Sequence, residues 1–119
     1  MSGPAPLVRA LDRGDEVRIP DVGQAQVILE RPREATTLEP GVAHVVFAHP
    51  GGRTIGLNWA PPGGEAEWDV IRLLADEEGF QHALLVRPDD AVRLLTRRPP
   101  GQPDDWDDRG IVQTVERVE

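Results

Sequence analysis

The chain has 119 residues, a formal net charge of −8 and no cysteine, so it is one domain's worth of polypeptide with no disulfide, thiolate metal site or cysteine nucleophile. All 13 basic residues are arginine, which excludes lysine Schiff-base chemistry and a phosphate-loop lysine, and an acidic chain without a basic stripe is not expected to bind nucleic acid. No apolar run approaches the roughly 18 residues that cross a bilayer, and charges interrupt the first twenty residues; neither a membrane span nor a signal peptide is expected, and the lack of cysteine suits the cytoplasm.

Residues 1–6 are small, contain proline and are expected to fray. Val17 and Ile19 then alternate with Glu16 and Arg18, Asp21 and Gly23 punctuate, and Ala25, Val27 and Leu29 alternate with Gln24 and Gln26. This predicts two half-buried strands and a turn. After a polar loop from Pro32 to Pro40, Ala43, Val45 and Phe47 share one parity, Pro50-Gly51-Gly52 supplies a reversal, and Ile55, Leu57 and Trp59 resume the pattern. Residues 42–49 and 53–59 should therefore pair as an antiparallel hairpin, stopped by Pro61-Pro62.

The period then changes. Glu65, Asp69, Arg72 and Asp76 step by four, three and four residues, with Trp68, Ile71 and Leu74 on the opposite side, which predicts an amphipathic helix over 65–78. A strand pair turning at Glu77-Glu78-Gly79 would use the same apolar residues. Ala83-Leu84-Leu85-Val86 reads as a buried strand ending at Arg87-Pro88-Asp89-Asp90, and residues 91–98 divide evenly between a short helix and a returning strand. Residues 99–109 form an acidic, proline-rich loop, and the valines of 111–118 favour a last strand.

No catalytic motif stands out. The only serine is Ser2, and His44 and His49 have opposite parity on one strand, so they, with His82, are expected to be isolated rather than a metal site; no cofactor is implied. Both Gly-Gly pairs, at 51–52 and 63–64, are explained by turn chemistry. Among the acidic residues, Asp15, Glu16, Glu65 and Glu67 have no fixed geometry for paired-carboxylate work.

Charge is lopsided: residues 1–60 hold six arginines against seven acids, a balance of −1, while residues 61–119 hold seven against fourteen, a balance of −7. Its densest point is Asp104, Asp105, Asp107 and Asp108 around Trp106. The functional reading is a docking segment with Trp106 as aromatic anchor and the aspartates meeting a basic protein; the bland one is a solvated loop with Trp106 folded onto the core. A second candidate is a pocket mouth lined by Trp59, Asn58 and Trp68.

Gly14-Asp15-Glu16-Val17-Arg18-Ile19, followed by Gly23 and Ala25-Gln26-Val27, resembles the opening of small SH3-like barrels of the KOW type, over residues 11–60. The resemblance implies a bent, partly closed antiparallel sheet used for binding, without the basic surface of nucleic-acid-binding members. The expected fold is thus a single domain of α+β type, a barrel-like antiparallel sheet with one or two short helices, with an all-β barrel as the other reading. The expected function is a non-enzymatic protein-interaction module, an acidic adaptor, inhibitor or immunity-type protein; the alternative is a small enzyme or ligand-binding barrel of a biosynthetic pathway.

Overall fold

The computed structural model describes residues 3–32, 36–37, 43–48, 54–59, 70–98 and 105–118. One short helix, α1 (Ala5–Ala10), precedes ten strands: β1 (Glu16–Ile19), β2 (Gly23–Pro32), β3 (Thr36–Thr37), β4 (Ala43–Ala48), β5 (Thr54–Trp59), β6 (Val70–Asp76), β7 (Gln81–Val86), β8 (Val92–Arg97), β9 (Asp107–Ile111) and β10 (Glu116–Arg117). Seven strands form an antiparallel sheet in the order β10-β1-β2-β6-β7-β8-β9, curled into a half-barrel, and β3-β4-β5 form a second sheet. The architecture is mostly antiparallel β, as the all-β reading has it.

The first block folds as its alternation dictates. Val17 and Ile19 are buried while Glu16 and Arg18 are exposed, and Glu16↔Gln26 through Ile19↔Gly23 pair in register. Pro20 and Asp21 make the turn, closed by the Val22 N–H donating to the Ile19 carbonyl at 3.1 Å. Asp21 takes a left-handed φ of 67°, which an aspartate tolerates far better than a branched residue. The second block pairs with Val45 opposite Leu57 and Phe47 opposite Ile55; Leu57 is buried.

The expected helix over 65–78 is not formed where the structure describes it: residues 70–76 are strand β6, hydrogen-bonded to β2 on one side and β7 on the other, while 65–69 lie outside the described residues. The strand pair turning at Glu77-Glu78-Gly79 is the observed arrangement. The physical reason is double-sided burial. Val70 and Leu74 face α1, Ile71 and Leu73 face the other way, and a strand covered on both faces loses the period of two that would reveal it. Arg72, assigned to a solvent stripe by the helical reading, is buried, and its guanidinium donates to the Val8 and Arg9 carbonyls at the end of α1.

Residues 91–98, which fit helix or strand equally, contain β8, and its pairing with β7 runs from Val86↔Val92 to Gln81↔Arg97. The chain start, expected to fray, supplies α1 from Ala5, which is fully buried. Together with Val8 and Leu11 it covers Val17, Ile19, Ala25, Val27, Leu74, Leu84, Val86 and Leu94. On the opposite face Ile71, Leu73, Ala83, Leu85 and Leu95 are also buried. The last segment, expected as one strand, is only briefly paired at Glu116–Arg117, and Val115 inserts into the α1-side core. Among the described residues no helix is long and apolar enough to cross a membrane.

Candidate functional site

Register gathers the polar turns at one end of the half-barrel. The pair Ala25↔Asp76 sets the β6–β7 turn beside the β1–β2 turn, while Gln81↔Arg97 and Thr96↔Asp107 bring the start of β9 to the same end. There the β1–β2 turn faces β9 across the open side of the sheet, and two clefts share Asp21 and Arg109 as a common wall. One, of about 240 Å³, has a mixed lining, in which Pro20, Leu94, Ile111 and Val112 supply the apolar side and Gln113 adds to the polar one. Ile111 is 46% exposed, the one large apolar side chain so exposed among the described residues. The other, of about 180 Å³, is polar and reaches Asp76, Glu78, Phe80, His82 and Thr96.

The floor of the polar cleft is a hydrogen-bonded chain. His82 Nε2 lies 2.8 Å from Asp76 Oδ2, and His82 Nδ1 lies 2.9 Å from Thr96 Oγ1. Burial works against the Asp76 carboxylate, but the His82 imidazole and the Phe80 and Glu78 backbone N–H groups outweigh it and hold its pKa below the usual 3.8. An ionised carboxylate only accepts, so Nε2 carries a proton; in the neutral ring Nδ1 then accepts from the Thr96 hydroxyl. His82 is 2% exposed, and both of its nitrogens are satisfied. Chemically, hydroxyl, imidazole and carboxylate in line are the arrangement of an activated nucleophile, and equally of a satisfied polar network that locks three strands.

The acidic pentapeptide is distributed differently from its docking reading. Trp106 is only 6% exposed, its indole N–H donates to the Gly56 carbonyl at 2.9 Å, and the Arg97 guanidinium sits 4.7 Å from its ring centroid. It is therefore not available as a surface anchor. Burial lowers the Arg97 pKa, partly offset by the Asp105 charge. Asp107 is exposed at the start of β9, and Asp108 pairs with Arg93 at 2.7 Å and accepts from the Gly110 N–H. Asp107 and Asp108 belong to a strand rather than to the expected 99–109 loop; Asp104 lies outside the described residues.

The alternative pocket mouth does not gain support from placement. Asn58 and Trp59 lie in β5 opposite His44 and Ala43, whereas Trp68 and His49 are outside the described residues. Asp15 is engaged by Arg117 and the Asp12 N–H, and Glu16 accepts from Gln24. Among the described residues no three His, Cys, Asp or Glu side chains converge for a metal ion. Sequence reading missed Asp76, Thr96, Asp21 and Arg109 as site residues; the one usable signal was the histidine at 82 within an apolar strand. No protein-family model, curated protein or solved structure matches this chain.

Proposed function

We propose that the chain is a non-enzymatic protein-interaction module of the small-barrel type, acting in the cytoplasm, whose partner presents a basic surface. The observation that carries this reading is the filling of β6, β7 and β8 on both faces. Side chains occupy the space a barrel ligand would need, and each seam cleft falls below the roughly 300–1,000 Å³ usual for small-molecule sites. What is offered outward is an end rich in carboxylates: Asp21, Glu77, Glu78, Asp105 and Asp107 are all exposed. The −7 balance of residues 61–119 adds a long-range field of the same sign. Affinity capture from the native host, followed by reconstitution with the purified partner, tests the reading. A basic protein whose binding weakens as salt rises supports it; an acidic protein or a small molecule as the captured ligand overturns it.

A second reading, a small enzyme, is favoured by the Asp76–His82–Thr96 chain alone. Thr96 Oγ1 would pass its proton to His82 Nδ1 as it attacks an activated acyl carbon, and the leaving group would take that proton. This moves the enzymatic alternative from Trp59 to the polar cleft. Whole-protein mass spectrometry after exposure to p-nitrophenyl acetate separates the readings: an acetyl group on Thr96, lost in His82→Gln, supports the enzyme, and an unlabelled chain removes it.

A further inference from the structure

We infer that the open seam between the β1–β2 turn and β9 takes one extended segment of the partner, seating an arginine or lysine by Asp21 and Glu78 and an apolar side chain against Ile111. This rests on the interaction reading and specifies its site and the chemistry of its ligand.

Three observations converge. First, complementary groups in the seam are left unused: among the described residues the Asp21 and Glu78 carboxylates have no hydrogen-bond or ion-pair partner, nor has the Arg109 guanidinium. Asp21 and Arg109 line both clefts without pairing to each other. Second, the charge of the polar cleft is uneven, with Asp21, Asp76 and Glu78 against Arg109, so it favours a cation, while Arg109 is left to meet a backbone carbonyl or carboxylate of the incoming chain. Third, the neighbouring cleft has an apolar side, formed by Pro20, Leu94, Val112 and the exposed Ile111, and Ile111 lies on the strand that ends its sheet among the described residues.

The spacing follows from strand geometry. In an extended chain, side chains two residues apart point the same way at about 6.6–6.8 Å separation, so two clefts sharing a wall are suited to residues i and i+2. Recognition through alternate side chains by a sheet edge is a general mode of peptide binding. The segment expected is therefore basic-x-apolar, or its reverse.

The test is an amide chemical-shift titration of the full, isotope-labelled chain with a capped peptide holding arginine and leucine two positions apart in a glycine–serine background. Shifts confined to residues 20–22, 78–82, 94–96 and 109–113 are expected, with binding lost when the arginine is replaced by glutamate. Asp21→Asn and Glu78→Gln should each weaken the peptide by about 1.5- to 5-fold, the range for an exposed ion pair, and Asn still suits the left-handed φ at 21. Ile111→Ser should weaken it without affecting the arginine dependence. No shift at millimolar peptide, shifts elsewhere, or equal binding of the glutamate peptide overturns the assignment. The captured partner provides the remaining arm: a basic protein that binds wild type and seam variants alike removes the seam and leaves the interaction reading, whereas a partner that is not basic removes the reading itself.

Discussion

The Trp106 indole N–H donates to the Gly56 carbonyl at 2.9 Å, tying the strand-shy segment before β9 to β5 of the second sheet. A residue surrounded in sequence by aspartates is thus a structural tie between sheets, with Arg97 stacked on its ring. With the ring buried, the proposed partner surface rests on the neighbouring carboxylates and the seam rather than on an aromatic anchor.

Trp106→Phe keeps an aromatic ring but leaves the Gly56 carbonyl without this donor, so it should cost about 0.5–1.5 kcal/mol, while Trp106→Ala should cost about 3–5 kcal/mol from lost packing. Urea unfolding of the three proteins measures both. Equal stability of wild type and Trp106→Ala would place the ring outside the core.

Arg72 holds the last turn of α1 to β6 through the Val8 and Arg9 carbonyls, at 3.2 and 2.8 Å. A cation at a helix C-terminus also meets the negative end of its dipole. Arg72→Met keeps most of the aliphatic stem and removes these donors, and should cost about 1.5–3 kcal/mol, as for hydrogen bonds to a charged group. Hydrogen exchange should speed up first in the amides of α1; unchanged protection there would contradict the anchoring.

Asp76 supplies a pH dependence. Its folded pKa lies below its unfolded value, so the unfolded chain binds the extra proton and the stabilisation is present above the usual carboxylate pKa near 3.8. It is lost as pH falls below that value and through the folded pKa. Urea midpoints from pH 7 down to pH 3 should fall more steeply for wild type than for Asp76→Asn, and parallel curves would contradict the hydrogen-bonded carboxylate. Thr96→Val, which leaves His82 Nδ1 without its partner, should cost about 1–3 kcal/mol at neutral pH.

The parts of the fold that could be read from sequence are those with one covered face. Val17 and Ile19 against Glu16 and Arg18 state a strand directly, and Ala43 to Phe47 with Ile55 to Trp59 state a hairpin about Pro50-Gly51-Gly52. β6 could not be read so, because α1 covers Val70, Arg72 and Leu74 while Ile71 and Leu73 are buried behind them. The charged Arg72, buried under a helix whose carbonyls it binds, then imitates the polar stripe of an amphipathic helix. The site was less legible still. Asp76 meets His82 only through the four-residue reversal at the β6–β7 turn, Thr96 meets it only through the β7–β8 register, and Asp21 and Arg109 come together only when the sheet curls. None of these relations leaves a local pattern in the chain.

The most direct measurement of the central claim is the association rate of the chain with its captured partner across a salt series. The proposed attraction between the carboxylate-rich end and a basic surface is screened over about 8–10 Å near physiological ionic strength, so the rate should fall as salt rises. Asp107→Asn, Glu77→Gln and Glu78→Gln combined should lower the low-salt rate and flatten its salt dependence while the unfolding midpoint stays near wild type; Asp108 and Asp105 are left intact because the first pairs with Arg93 and the charge of the second supports the buried Arg97. A rate indifferent to both salt and these substitutions would contradict the account.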